Sequence, residues 1–516
     1  MLDFSKLITP ARHGEVLVLP TPCECVSAVQ ANSRSLRGAT RPLLDSTIGD
    51  WRRRTREAVV GCDDRPIIVT GHQPTFIHPG VWAKHVVSMR LAEALDGIAF
   101  NLVVDSDAPQ GATLGVPSIE GSRTELRNVR YADLRTGFTY EQLVRRTPEE
   151  IIRFEREVHE AMGKRYEQSQ MPAFIEALSA VDSMGDGTDQ TVTARRTIEK
   201  AFEVTVDERR VSRLWWTPLL LDMVRHAERF SQSYNNALQW YRKKFAVRGS
   251  QRPIPDLTAR GAEWELPVWA YRSGEARRRL FVGQAGSRLR VLADRDEVGV
   301  FALDDFSAID ELISPLGGSA EWRLRPRALT LTIWARLFLA DLFIHGIGGA
   351  KYDRISDAII ANYFGITPPE MACVSATLHL ELPRTETTSE TIRCLRRSLR
   401  DLEWNPQRGL APDAGLTTLI NHRGRAVRQA MELREADPHN RIARRAAFLK
   451  VRELNHRLAT VRSDELVHLR AKLERAQVDL GQNKVAMGRE YFFGLYERRP
   501  LELLLASLPG THDFLV

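Results

Sequence analysis

The spacing of hydrophobic and polar positions changes several times along this chain, and each change marks an element. Ile67, Ile68 and Val69 are three β-branched residues in a row, the pattern of a buried strand. They run into Thr70-Gly71-His72-Gln73-Pro74 and then Phe76-Ile77-His78-Pro79-Gly80. Val81, Val86, Val87, Leu91 and Leu95 follow at helical intervals and predict a helix with one apolar side. Residues 97–104 predict a second buried strand, ending in Asp105-Ser106-Asp107. Two more strands are expected at 113–119 and 126–131.

From residue 147 to 245 the period becomes helical, with Ile151, Phe154, Val158 and Met162 in register, and Gly185-Asp186-Gly187 breaks the run. Strands of period two return at 265–271, 279–282 and 288–292, joined at Ser273-Gly274 and Gly286-Ser287, so an antiparallel patch is expected. The apolar run 328–344 is interrupted by Arg336 and Asp341, which predicts a buried helix rather than a membrane span. After it come Gly346-Ile347-Gly348-Gly349-Ala350-Lys351-Tyr352-Asp353 and a helix carrying Ile355, Ile359, Ile360 and Phe364.

Beyond Pro383 the chain turns helical and charged. Val451, Leu454, Leu458 and Val461, then Leu466, Leu469, Leu473, Ala476 and Leu480, recur in steps of three and four. That is the seam of a coiled coil, intramolecular or dimeric, with a phase slip near Ser463 that is either a new helix start or a local twist. The tail, with Leu501, Leu503, Leu504, Leu505 and Leu508, is expected to pack into the core.

These boundaries divide the chain into a cap at 1–65 and an α/β core in two halves, 66–146 and 248–382. A helical insertion lies at 147–247, a coiled-coil arm at 383–482 and a docking helix at 483–516. The cap contains a short strand at 15–19 and the run Trp51-Arg52-Arg53-Arg54, expected to be a solvated helix face.

Composition narrows the class without naming a function. With 516 residues, 43% hydrophobic and 27% charged, the chain reads as a multidomain globular protein. The N-terminus lacks the basic and apolar regions of a secretory signal, and five scattered cysteines suit a reducing compartment, so a cytoplasmic location is expected. Cys23-x-Cys25 lacks a second pair and is read as structural. The net charge of +7 is spread among acidic neighbours, which reads as a generic surface rather than a nucleic-acid track and is compatible with acidic substrates. The mixed segment Trp240 to Phe245 reads as a helix end packed on the core rather than a base-stacking surface.

Candidate chemistry gathers at two junctions. At the first, a strand ends in Gly71, His72 and Gln73, and a helix begins near His78 and Gly80 with Lys84 one turn in. Helix N–H groups at such a place attract phosphate or carboxylate. Asp105 and Asp107, at the end of the next strand, face the same crevice in an open α/β sheet and are candidates to orient Mg²⁺ or an amine. At the second junction, Gly348 and Gly349 allow left-handed turns and close approach, Lys351 can reach a phosphate, and Tyr352 and Asp353 would fix the loop. The spacing matches neither a Walker loop nor a complete dinucleotide fingerprint.

Three patches, VTGHQPTFIHPGVWAKH, NLVVDSDAP and LRPRALTLTIWARLFLADLFIHGIGGAKYD, resemble the bacillithiol-forming cysteine ligase family in order and rough spacing. That family has a Thr-Gly-Gln-Gln loop before a helix with a lysine, an acidic strand end, and a glycine-rich turn before a tyrosine. The resemblance implies a Rossmann-like, nucleotidyltransferase-type α/β core with a helical insertion and a C-terminal coiled coil that forms a homodimer. It also implies a ligase joining cysteine to the amine of a small sugar-type acceptor, and binding of ATP or ADP with Mg²⁺ is expected beside it. His72 stands where the family has Gln, Ser106 where a His is expected, and Lys351 where the family is acidic. Two other readings compete: a non-catalytic coiled-coil scaffold, and a metal-dependent hydrolase using His72, His78, Asp105 and Asp107. The second lacks a His-x-x-x-His pair.

Overall fold

The computed structural model describes residues 6–109, 111–121, 123–133, 135–181, 185–247, 254–302, 312, 321–410 and 414–515. The protein is mixed α/β and divides into two compact units. The first comprises Met1–Ser118, Arg127–Leu380 and Arg489–Val516, the second Ile119–Leu126 and Glu381–Gly488.

The first unit holds, in chain order, β1 (Val16–Leu19), β2 (Ile67–His72), β3 (Ile98–Val103), β4 (Asp207–Arg210), β5 (Glu263–Arg272), β6 (Arg278–Ala285), β7 (Arg288–Ala293), β8 (Asp296–Phe301), β9 (Trp322–Pro326), β10 (Leu342–His345) and β11 (Met371–Ala376). Its main sheet has the order β1-β11-β10-β2-β3-β4. The last five run parallel, and β1 pairs antiparallel with β11, Val16 facing Ala376. Taken by position in the chain, the parallel strands lie 3-2-1-4-5 from β4 to β11, so the order reverses between β2 and β10. Ile67, Ile68 and Val69 are buried on both faces, as an inner parallel strand requires.

Helices α1 (Pro22–Arg37), α2 (Ile48–Val60) and α3 (Pro79–Ala94) belong to the same unit. The single apolar side expected of α3 is not what folds: every residue from Pro79 to Ser88 is buried. One face packs on β2, β3 and β11. The opposite side is roofed by aromatic residues, Phe493 stacked on Trp82 with centroids 5.1 Å apart and Phe202 edge-on at 5.4 Å. The C-terminal tail thus contributes core, although Leu503, expected inside, is exposed.

The Arg run of α2 is also not uniformly solvated. Arg52 and Arg56 are fully buried. Arg52 donates to Asp341 Oδ1 at 2.7 Å, and Arg56 to Asp341 Oδ2 at 2.8 Å. The Ile67 N–H donates to Asp341 Oδ2 at 2.8 Å. Four residues separate the two arginines, so they share one helix face, which happens to point inward. The apolar run 328–344 is not one helix either. It forms α4 (Ala328–Trp334), a π turn at Ala335–Leu339, and β10, with Asp341 at the break. No helix of the described residues is long and apolar enough to cross a membrane.

The segment expected as a purely helical insertion contains β4, which pairs parallel with β3. Its sequence Asp-Glu-Arg-Arg has no strand signature, because an edge strand stitched by side-chain ion pairs needs none. The segment also holds helices Pro148–Met162, Arg165–Gln168, Met171–Ala180, Gly187–Ala201, Thr217–Arg225 and Ala227–Lys244. The antiparallel patch is a second sheet in the order β8-β7-β6-β5-β9, with the short strand Ala259–Arg260 also paired to β5, so it holds three strands more than the three expected. Beyond β10, α5 (Ile347–Tyr352) leads into Arg354–Ile359 and back to β11.

The second unit carries α6 (Ser389–Trp404), α7 (Ala414–Ala436), α8 (Arg441–Thr460) and α9 (Ser463–Ala486). The phase slip is a real break: Arg462 occupies the position before α9, pairs with Glu465 at 2.8 Å, and Ser463 is the first helical residue rather than its cap. Leu454, Leu458 and Ala476 are buried, whereas Val461 is exposed. The excess of basic over acidic residues in 381–488 equals the +7 of the whole chain.

Candidate functional site

Ligands in open α/β sheets sit beyond the carboxyl ends of strands where the strand order reverses. A cleft of about 670 Å³ lies at that place, between the ends of β2 and β10. Gly71, His72, Gln73, His78, Gly80, Lys84 and Asp107 line it from one side, and Gly348, Gly349, Lys351 and Tyr352 from the other. The two junctions read separately along the chain therefore face one space.

Asp105 and Asp353 do not reach it. Asp105 is buried and saturated: it accepts from Arg210 Nε at 2.7 Å, the Ser212 N–H at 2.9 Å and Ser212 Oγ at 2.6 Å. Asp107, by contrast, lines the cleft. Asp353 accepts from Arg336 at 2.6 Å and meets His345 Nε2 at 3.1 Å. Burial alone would raise its pKa, but Arg336 and His345 hold the carboxyl well below the usual carboxylate range.

The start of α3 differs from the expected open anion site. Pro79 has no N–H, the Gly80 N–H donates to His78 Nδ1 at 3.1 Å, and the Val81 and Trp82 N–H groups donate to the His78 carbonyl. His78 is thus the N-cap, and the donors usually left for a ligand are occupied. Gly80 is sterically required, since a Cβ there would lie 2.6 Å from the Ala376 carbonyl oxygen and 2.8 Å from Arg489. The second junction is likewise not a left-handed turn. Gly346 caps α5, the next two glycines are helical, and a Cβ on Gly349 would lie 2.8 Å from His345 Nδ1.

The positive character of the cleft comes instead from side chains. Lys84 is buried and donates to the Gly71 carbonyl at 3.0 Å. Burial lowers its pKa to about 8. Burial and the nearby Lys84 push His72 down to about 3, and burial with Arg489 and Lys84 does the same to His78, so both rings are neutral near pH 7. Asp107 accepts from Gln73 Nε2 at 3.1 Å and from Arg277 at 2.7 Å, which fixes Gln73 at the cleft edge. Arg277 and Arg327 lie over the Trp269 ring at 4.4 and 4.1 Å, and Arg327 also pairs with Glu265 at 2.9 Å. Arg489 donates to Ser375 Oγ at 3.0 Å and to the Ala376 carbonyl at 2.8 Å.

Trp269, Arg327 and Arg489 line the cleft and were not singled out from the sequence. Arg327 had a signal, because it is the residue that caps α4 directly after the Arg325-Pro326 step. Trp269 sits beside the bulge that shifts the register of β5 on β6, a feature visible only in the pairing. A different cluster, His85 with Glu199 and Glu208, has the spacing of metal ligands. Arg195 donates to both carboxylates, so a guanidinium already holds the place of a cation. Comparison of the chain with family models and with curated proteins returns no match.

Proposed function

We propose that the cleft binds an anionic, nucleotide-type ligand beside a small amine, and that the protein is an amide-forming ligase of the kind its motifs resemble. The observation that carries this reading is the convergence of Lys84, Lys351 and Arg327 on one cleft at the reversal of strand order. The 3-2-1-4-5 order supports a Rossmann-like core, and the heptad seam of α8 and α9 supports a coiled coil that pairs two copies. An amide forms only after a carboxylate is activated, and ATP with Mg²⁺ supplies that activation by transfer of a phosphoryl or nucleotidyl group. Lys84 then offsets the charge that develops at the buried end of the cleft, where a low dielectric strengthens the interaction. Lys351, half-buried in the last turn of α5, holds the phosphate end, and Asp107 keeps Gln73 turned to the substrate.

The test is a thermal shift with ATP, ADP and Mg²⁺ on the wild type and on Lys351→Ala. Stabilisation by ATP that the variant loses is the expected result, followed by release of AMP or ADP when amino acids, cysteine first, are screened with amine acceptors. No shift at millimolar nucleotide in either protein overturns the ligase reading in favour of a scaffold.

A further inference from the structure

The two histidines of the cleft differ in which nitrogen is engaged. His72 Nδ1 lies 3.0 Å from the Gln73 carbonyl oxygen. A carbonyl only accepts, so Nδ1 carries the proton and Nε2 is a bare acceptor. His78 Nδ1 lies 3.1 Å from the Gly80 N–H. A backbone N–H only donates, so Nδ1 is bare and Nε2 carries the proton. These tautomers are assigned from the partners of each ring. Neither Nε2 has a partner among the described residues, and both residues line the cleft.

We propose that His72 and His78 form a fixed acceptor–donor pair that selects the uncharged end of the acceptor substrate, a free amine, hydroxyl or carboxamide, and rejects a carboxylate. The inference rests on the ligase reading for its place in the reaction, but the pairing itself does not. A group that donates to His72 and accepts from His78 satisfies both nitrogens. A carboxylate has only lone pairs to offer His72, and a buried polar atom left without a partner is costly. The Lys84 charge beside His72 disfavours a second cation, so an amine enters as the free base, and its one lone pair leaves the His78 N–H before it attacks an acyl carbon. Burial keeps both rings neutral well below pH 7, so the two tautomers persist across the working range.

The full chain labelled with ¹⁵N-histidine tests this by long-range ¹H–¹⁵N correlation. Signals are assigned by their loss in His72→Gln and His78→Ser, the second of which retains a good helix cap. The expected result is an Nδ1–H tautomer for His72 and an Nε2–H tautomer for His78, with no imidazolium from either at pH 6. The same tautomer on both rings, or a charged ring at pH 6, overturns the pair. Acetamide and acetate, titrated separately, are the probes of selection. Acetamide is expected to shift His72 Nε2 at concentrations at least about tenfold lower than acetate does. Equal or stronger response to acetate overturns the selection. Because neither readout needs turnover, a protein that passes both and releases no nucleotide product loses the ligase reading and keeps the pair.

Discussion

At the amino ends of β2 and β10, both oxygens of Asp341 are engaged, by two buried guanidinium groups and a strand N–H. At the carboxyl ends of the same strands, Lys84 makes one bond to a carbonyl, and His72 and His78 each use one ring nitrogen. Both ends put strong polar groups in low dielectric. The first saturates them and so fastens α2 to the sheet. The second leaves capacity open toward a cleft, which is what a ligand site requires. Asp105 and Asp107 are both paired but differ in place: the first is locked by Arg210 and Ser212 away from the cleft, and the second, held by Arg277, keeps Gln73 at the cleft edge.

Breaking the saturated end has the largest expected effect. Asp341→Ala takes the directly paired carboxylate from buried Arg52 and leaves Arg56 with Asp63 alone, at 3.0 Å, and is expected to cost on the order of 3–5 kcal/mol, measured by urea unfolding. A loss below about 1 kcal/mol would mean the clamp is not what fastens α2.

At the open end the effect is on pH dependence. The folded pKa of Lys84, about 8, lies below the value of an unfolded lysine. The unfolded chain therefore binds the proton better, and stability rises with pH between these two values. Below the folded value the penalty is complete. Lys84→Met should remove that slope, with a difference from wild type of roughly 2–3 kcal/mol across the window. Parallel curves for the two proteins would place the lysine in water.

The smallest effect sharpens the boundary between the two ends. Gly80→Ala pushes a methyl against the Ala376 carbonyl and the His78 ring, and a cost of about 1–2 kcal/mol is expected. Disturbed ring signals of His78 should accompany it, while the Asp341 cluster stays unchanged. A variant as stable as wild type, with His78 unaltered, would show that the close approach at the start of α3 relaxes freely.

Much of this architecture is legible in local pattern. Three β-branched residues, an apolar run ending in aspartates, and period-two segments after Glu263 are each short-range signals, and β2, β3 and the second sheet follow them. The arm's steps of three and four are equally local; the phase slip near Ser463 marked the place but left a new helix and a twist both open, and the structure has the new helix. The two junctions could be found because strand ends gather polar residues.

What the pattern did not carry depends on partners far along the chain. β4 is charged and becomes a strand because Asn101 donates to Glu208 at 2.7 Å while Arg195 holds the same carboxylate. Arg52 looks like its neighbours Arg53 and Arg54 until Asp341 is set opposite it. No spacing rule separates Asp105 from Asp107, since the chain turns after β3 and the alternation of a strand no longer applies.

The sequence by itself determined where apolar surface is produced and with what period, because each residue brings its side chain and its backbone preference to every context. It thereby set the inner strands, the presence of a helix after the first of them, the helical arm and the positions of the polar junctions. Only the tertiary structure decided that both junctions share one cleft, that His78 caps a helix while His72 turns a bare nitrogen outward, and that Lys84 is starved of water. Those properties are relations among groups brought together by folding, and the free energy of a proton or a hydrogen bond depends on every neighbour within a few ångströms, whatever their distance in sequence.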